Sequence, residues 1–196
     1  MKPFAVLLTV LFCFYSPLQA APLSAYLALG GEAGGAQVNS VAGKPIEEIS
    51  IGAGLNMSLG VKLDVSKTRP HAYEARAHVG FNAWETGNGE DNTSTWVSLP
   101  VYLEYFYVNT RNHFKVGYGL TYRFSNSLDT ERMGVINDFR FEDSLGYTLA
   151  VERYSPVLDG ETAFGLRYTS IDYKEVSTDQ IFDGDSIGYY MALTID

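Results

Sequence analysis

The side chains in this chain most able to do chemistry are charged, and they recur at a two-residue spacing. Lys62, Arg76, Lys115, Arg123 and Arg167 fall on the polar side of alternating segments, together with Glu32, Glu48, Asp64, Glu74, Glu104 and Glu152. Acids and bases in near balance on one face could relay protons. They could also pair with each other, as buried charges must. The expected use is an interior ion-pair network of Glu32, Lys62, Glu74, Arg76, Glu104, Lys115, Arg123, Glu152 and Arg167, with Arg76 and Glu104 meeting on neighbouring strands. The three histidines do not extend this chemistry. His71 and His113 sit at short turns and His78 points inward, and no two share a hairpin face with a carboxylate. No metal site and no cofactor is therefore expected. The runs Glu90-Asp91-Asn92 and Asp183-Gly184-Asp185 offer oxygen ligands of the kind Ca²⁺ or Mg²⁺ takes, but such runs are more often solvated loops.

The elements that must position these charges show in the stretch Ile49–Val65. One face reads Ile49, Ile51, Ala53, Leu55, Met57, Leu59, Val61, Leu63, Val65, and the other reads Ser50, Gly52, Gly54, Asn56, Ser58, Gly60, Lys62, Asp64. A period of two marks a β-strand with one apolar face. An ordinary soluble strand has about 5–6 residues, whereas a tilted strand crossing a bilayer needs about 9–11. Eight segments carry this period, at 24–36, 47–65, 71–84, 94–108, 113–125, 138–154, 161–174 and 185–195. Pro100 cannot donate to a ladder, so a bulge is expected there. Asp143 has the outward parity of Phe139 and Leu145, which suits only a height beyond the hydrocarbon.

Alternation alone leaves open whether the apolar face meets lipid or a core, and a soluble lipocalin-like barrel would turn it inward. Three features favour lipid. The polar face is dense in glycine (Gly52, Gly54, Gly60, Gly80, Gly117, Gly119, Gly146, Gly165, Gly188), which suits a crowded interior. Its charges nearly balance. Tyr26 apart, the tyrosines are assigned to the apolar face, as Tyr73, Tyr105, Tyr107, Tyr118, Tyr122, Tyr147, Tyr168 and Tyr189, several near strand ends where an aromatic girdle belongs. Eight strands leave an interior just wide enough for side chains, so a water-filled pore is disfavoured.

The connections alternate. Those at 66–70, 109–112 and 155–160 are short, and those at 38–46, 85–93, 126–137 and 175–184 are longer and polar. Short turns on one side and longer external loops on the other are the asymmetry of an outer-membrane barrel. In pattern and loop alternation the chain resembles the small eight-stranded outer-membrane barrels, the OmpA- and OmpX-like group, over residues 24–196. It departs from them at Thr194-Ile195-Asp196, where such barrels finish on an aromatic residue. The run Tyr122-Arg123-Phe124-Ser125-Asn126 also looks like the His-x-Ser-Asn segment of the outer-membrane lipid A deacylases. Arg123 stands where that resemblance places the general base. Arginine is not deprotonated in proteins, so Ser125 lacks an activator and no enzyme activity is expected.

Residues 1–20 read as a secretory signal peptide, with Lys2, an apolar core Phe4–Phe14 and a cut ahead of Ala21. Residues 21–196 form one domain. Cleavage removes Cys13, the only cysteine, and with it any disulfide, thiol nucleophile or Cys-based zinc site. It moves the formal charge from −9 to −10, with 13 basic and 23 acidic residues left. A strongly acidic exported chain does not suit nucleic acid. The expectation is an all-β, eight-stranded antiparallel up-and-down transmembrane barrel in the outer membrane of a Gram-negative type cell, as a monomer. Its role would be structural or surface-interactive, in envelope integrity, adhesion or lipopolysaccharide contact. Its partners would be outer-membrane lipid and lipopolysaccharide, with periplasmic chaperones and the barrel-assembly machinery during biogenesis. A lipid A-modifying enzyme, a narrow solute channel and a soluble binding barrel are the competing readings.

Overall fold

The computed structural model describes residues 23–66, 70–87, 92–132, 134–158 and 160–196. The signal segment and Glu90–Asp91 lie outside the described residues. Thirteen strands follow in order: β1 Leu23–Gly34, β2 Gln37–Val41, β3 Lys44–Ser50, β4 Gly54–Ser66, β5 His71–Gly87, β6 Asn92–Asn109, β7 Phe114–Arg132, β8 Val135–Arg140, β9 Ser144–Val157, β10 Gly160–Ser170, β11 Asp172–Lys174, β12 Ile181–Asp183 and β13 Ser186–Ile195. Eight of them close on themselves in the order β1, β4, β5, β6, β7, β9, β10, β13 and back to β1. Every neighbour is antiparallel. The fold class expected from the alternation is the one observed. Closure leaves the barrel wall no unpaired edge, so every barrel strand can satisfy its backbone on both sides.

The faces are inverted relative to a soluble barrel. Leu27, Leu59, Leu120, Leu149, Leu166 and Met191 are exposed on the outside, while Lys115, Arg123 and Glu152 are fully buried inside. A lipocalin-like arrangement, with the apolar face inward, is overturned by this orientation. On β9 the outward series Leu145, Tyr147, Leu149, Val151 is bounded by Asp143 above and Arg153 below, both exposed. That is about ten residues, roughly 33 Å of strand, or about 25 Å of height at a tilt near 40°. Tyrosines ring both margins. Tyr73 packs against Tyr105 and Tyr107 by the short turns. At the other margin Tyr147 packs against Tyr168, and the Tyr122 and Tyr168 hydroxyls donate to Asp143 and Asp185. Tyr26 is not the sole exception, because Tyr102, Tyr154 and Tyr190 also point inward and are buried. They sit on the inward parity of their strands, and their hydroxyls suit a polar interior.

The long connections carry strands among the described residues. Residues 38–46 lie in the β2–β3 hairpin, residues 126–137 continue β7 and turn into β8, and β12 pairs with β11. The segment 47–65 is two strands, broken at Ile51–Ala53. Gly52 there has φ 98°, a conformation that side chains disfavour. Residues 138–154 likewise break between β8 and β9. The apolar parity survives each break, but its meaning changes. Ile49, Ile51, Ala53 and Phe139 are buried and do not face outward. Ile49, Ile51 and Phe139 belong to a second core, with Val38, Val41, Ile46, Trp96, Leu128, Phe141, Ile171, Tyr173 and Phe182. Each fully buried side chain of this kind contributes roughly 1.5–3 kcal/mol. Trp96, inward on β6, meets Phe141 and Tyr173 edge-on at 5.2 and 4.9 Å. The hairpins thus form an apolar cap over one mouth of the barrel.

The bulge expected at Pro100 lies on the strand beside it. Between Val97/Leu99 on β6 and Ser127/Phe124 on β7 the register slips by one residue, with Ser125 at φ 53°. Pro100 itself faces inward opposite Arg123 on β7. On its other side the ladder with β5 skips the Gly80 and Pro100 level, where proline has no N–H to give.

Candidate functional site: the lumen and its cap

The barrel interior is stacked in three charged layers. Nearest the cap, Arg123 donates to Glu32 at 2.6 Å, and Asn82 and Tyr102 donate to the same carboxylate at 3.1 and 3.2 Å. In the middle, Arg167 grips Glu104 with two bonds, Nε at 2.9 Å and Nη2 at 3.2 Å, and His78 Nε2 lies 3.0 Å from Glu104. Towards the short turns, Arg76 holds both oxygens of Glu152 at 2.5 and 2.7 Å and also bonds Glu74. Tyr190 donates to Glu152 at 2.6 Å. Lys115 bridges Glu74, at 2.9 Å, to Glu161. Lys62 closes the series, 3.5 Å from Asp64 and 4.0 Å from Glu161. Each of these buried charges has an opposite partner, as burial requires, although Arg76 Nε and Arg123 Nε and Nη1 are buried without a hydrogen bond.

Alternation explains why these residues point inward, and the narrow bore explains how they pair. Arg76 and Glu104 are directly opposed in the β5–β6 register, but they do not form the pair expected of them. Arg76 turns across the lumen to Glu152 on β9, and Glu104 turns to Arg167 on β10 and to His78. Glu48 is not in the lumen. It is exposed on β3, because the turn at Ile51–Ala53 separates it from the barrel strand whose parity it shares. Glu161 belongs to the network and was missed, although it has the inward parity of Ala163, Gly165 and Arg167.

Aromatic rings fill the space between the layers. The Arg76 guanidinium lies over Phe106 at 4.1 Å and Tyr26 at 5.0 Å, and Arg167 lies between Tyr102 and Tyr190 at 4.6 and 4.5 Å. Such stacking suits arginine in a desolvated site. A side chain at Gly165 would begin 2.4 Å from the Tyr190 ring, so glycine here is the room the ring occupies. A void among Glu32, Asn56, Arg167 and Tyr190 measures about 10 Å³, room for about one water.

The cap sits directly on the uppermost layer. Burial pushes the Tyr173 phenol up to about 12, against the lowering pull of Arg123 below it. At the β11–β12 turn, Glu175 is buried, which works against its charge. Hydrogen bonds from the Ser177 and Thr178 hydroxyls and N–H groups outweigh that and hold its carboxyl below the usual range. Asp183-Gly184-Asp185 is engaged internally. Asp185 accepts from Ile171 N–H and the Tyr168 hydroxyl, and Asp183 accepts from Asp185 N–H. Its carboxylates serve a turn and do not converge on an ion site. In the Ser125 run, Arg123 is buried on Glu32 inside the barrel, while the bulge turns Ser125 to the exposed side, so the two do not share a site.

No protein-family model matches this chain, and no curated protein does. Among solved structures the chain is similar to the crystal structure of Neisserial surface protein A, at 12% identity and a TM-score of 0.49, over 87% of this chain and 94% of that one.

Proposed function

We propose that this protein is an integral outer-membrane barrel with a structural or surface-interaction role, its lumen plugged by the ion-pair layers and its outer mouth closed by the hairpin cap. The observation that carries the reading is the exposed apolar belt, about 25 Å tall and edged by tyrosines, which matches the hydrocarbon-facing band of outer-membrane barrels. Water would not tolerate so much contiguous apolar surface on a monomer. The hairpins would then face outward from the cell, presenting an acidic surface that includes Glu48, Asp129, Asp138, Glu142, Asp172 and Asp179. Envelope integrity, adhesion and contact with lipopolysaccharide are the roles such a surface supports. Export would follow signal cleavage ahead of Ala21, and N-terminal sequencing of the membrane-extracted protein should begin Ala-Pro-Leu.

Planar-bilayer recording tests the plug. The purified barrel should insert, shown by a heat-dependent shift on gels, and pass no steady single-channel current. Large stable currents would promote the channel reading, and failure to insert into any bilayer would remove the membrane reading.

A further inference from the structure

Outside the lumen, the belt carries a depression. It runs over the outer faces of β1, β13, β10 and β9 and encloses about 560 Å³, with walls formed by Leu29, Val151, Phe164, Leu166, Tyr189 and Met191. Its short-turn end is closed by Phe114 and Arg153. Arg153 is the outward residue at the lower boundary of the belt on β9, flanked in register by Phe114 on β7 and Phe164 on β10. Every lumen arginine bonds a carboxylate. Arg153, by contrast, has no carboxylate partner among the described residues. Charge is also sorted along the barrel axis. Among the described residues the exposed bases of the short-turn end are Arg111 and Arg153, against Asp196, while the acid excess lies on the hairpins.

We propose that this groove holds an acyl chain of one anionic glycerophospholipid from the leaflet beside the short turns, with the lipid phosphate on Arg153. The inference rests on the membrane reading above. The apolar walls suit a chain lying along the barrel. The arginine stem can follow the apolar surface while its head reaches the phosphate level, and the guanidinium fork matches phosphate oxygens in pairs. The basic pole favours an anionic headgroup, and the acidic pole disfavours the same headgroup in the opposite leaflet.

The test uses the mature barrel folded into vesicles of phosphatidylcholine alone and of phosphatidylcholine with phosphatidylglycerol. Gentle detergent extraction and native mass spectrometry then count the lipids retained. One phosphatidylglycerol should be held in preference to phosphatidylcholine. Arg153→Gln should reduce that retention at least five-fold, and Leu166→Trp, which fills the groove, should do the same. Arg111→Gln, which removes a base outside the groove, should leave it unchanged. Equal retention of the two lipids, or retention that survives both groove variants, overturns the proposal. The heat-dependent gel shift is read on every sample. A wild type that inserts but shows no preference defeats the groove alone, whereas a wild type that inserts in neither vesicle defeats the membrane reading and the groove with it.

Discussion

Glu104 shows how side-chain choice in a narrow barrel departs from backbone neighbourhood. Its backbone faces Arg76, yet its carboxylate is held by Arg167 from a strand that is not its neighbour, and by His78. Removing one partner of a buried pair leaves an uncompensated charge and costs about 3–5 kcal/mol. Glu104→Gln should therefore lower the unfolding midpoint clearly in denaturant titrations. Adding Arg167→Met should recover much of the loss, and adding Arg76→Met should recover less. Equal rescue by the two arginine variants would contradict the layered pairing. Parity alone identified Arg76, Glu104 and Arg167 as inward, because a strand leaves only two directions for a side chain. Parity could not give the partners, since an eight-stranded bore lets long side chains skip their neighbours. The same rule, applied through a turn it could not see, placed Glu48 inside. Applied fully at the start of β10, it would have found Glu161.

At the scale of elements, the hairpins carry the main departure from the sequence reading. Ile49, Ile51 and Ala53 continue the apolar alternation of β4, so nothing in their pattern separates a lipid-facing residue from one under a cap. Gly52 and Gly54, both at positive φ, mark the break. Val38, Val41 and Phe182 lie in stretches polar enough to look like loops, Phe139 has the outward parity of a strand, and their shared core is formed by contacts distant in sequence. Trp96→Ala should cost about 3–5 kcal/mol and should loosen the cap while leaving the barrel intact. Hydrogen exchange is expected to rise in β2, β3, β11 and β12 and to stay low in β4 and β9. The cap should also be acid-sensitive. The Glu175 carboxyl is held below its ordinary value of 4.5, so its contribution is present above that value and is lost as pH falls through the lower, folded value. Exchange in β11–β12 should increase on acidification below about pH 4. Glu175→Gln should remove that dependence and lower hairpin stability at neutral pH by about 1–3 kcal/mol.

For the whole molecule, the belt decides where the protein resides. Leu59 lies at the centre of the outward series of β4, with Leu55 at its upper rim and Leu63 at its lower rim. Leu59→Arg should cost about 2–4 kcal/mol of folding stability in liposomes, and Leu55→Arg should cost less, because the penalty falls towards the interfaces. The closed eight-stranded barrel was legible from the sequence because alternation and turn spacing are local signals. The cap and the cross-lumen pairing were not, because both depend on which distant segments closure brings together. The most direct test of the central claim is a series of single cysteines at positions 55 to 62, spin-labelled with the barrel folded in lipid bilayers. The labels at 55, 57, 59 and 61 should be accessible to dissolved oxygen, most strongly at 59, and shielded from a water-soluble nickel reagent. Those at 56, 58, 60 and 62 should be shielded from both. Oxygen accessibility at the even positions, or no two-residue alternation at all, would contradict an apolar face in lipid around a plugged lumen.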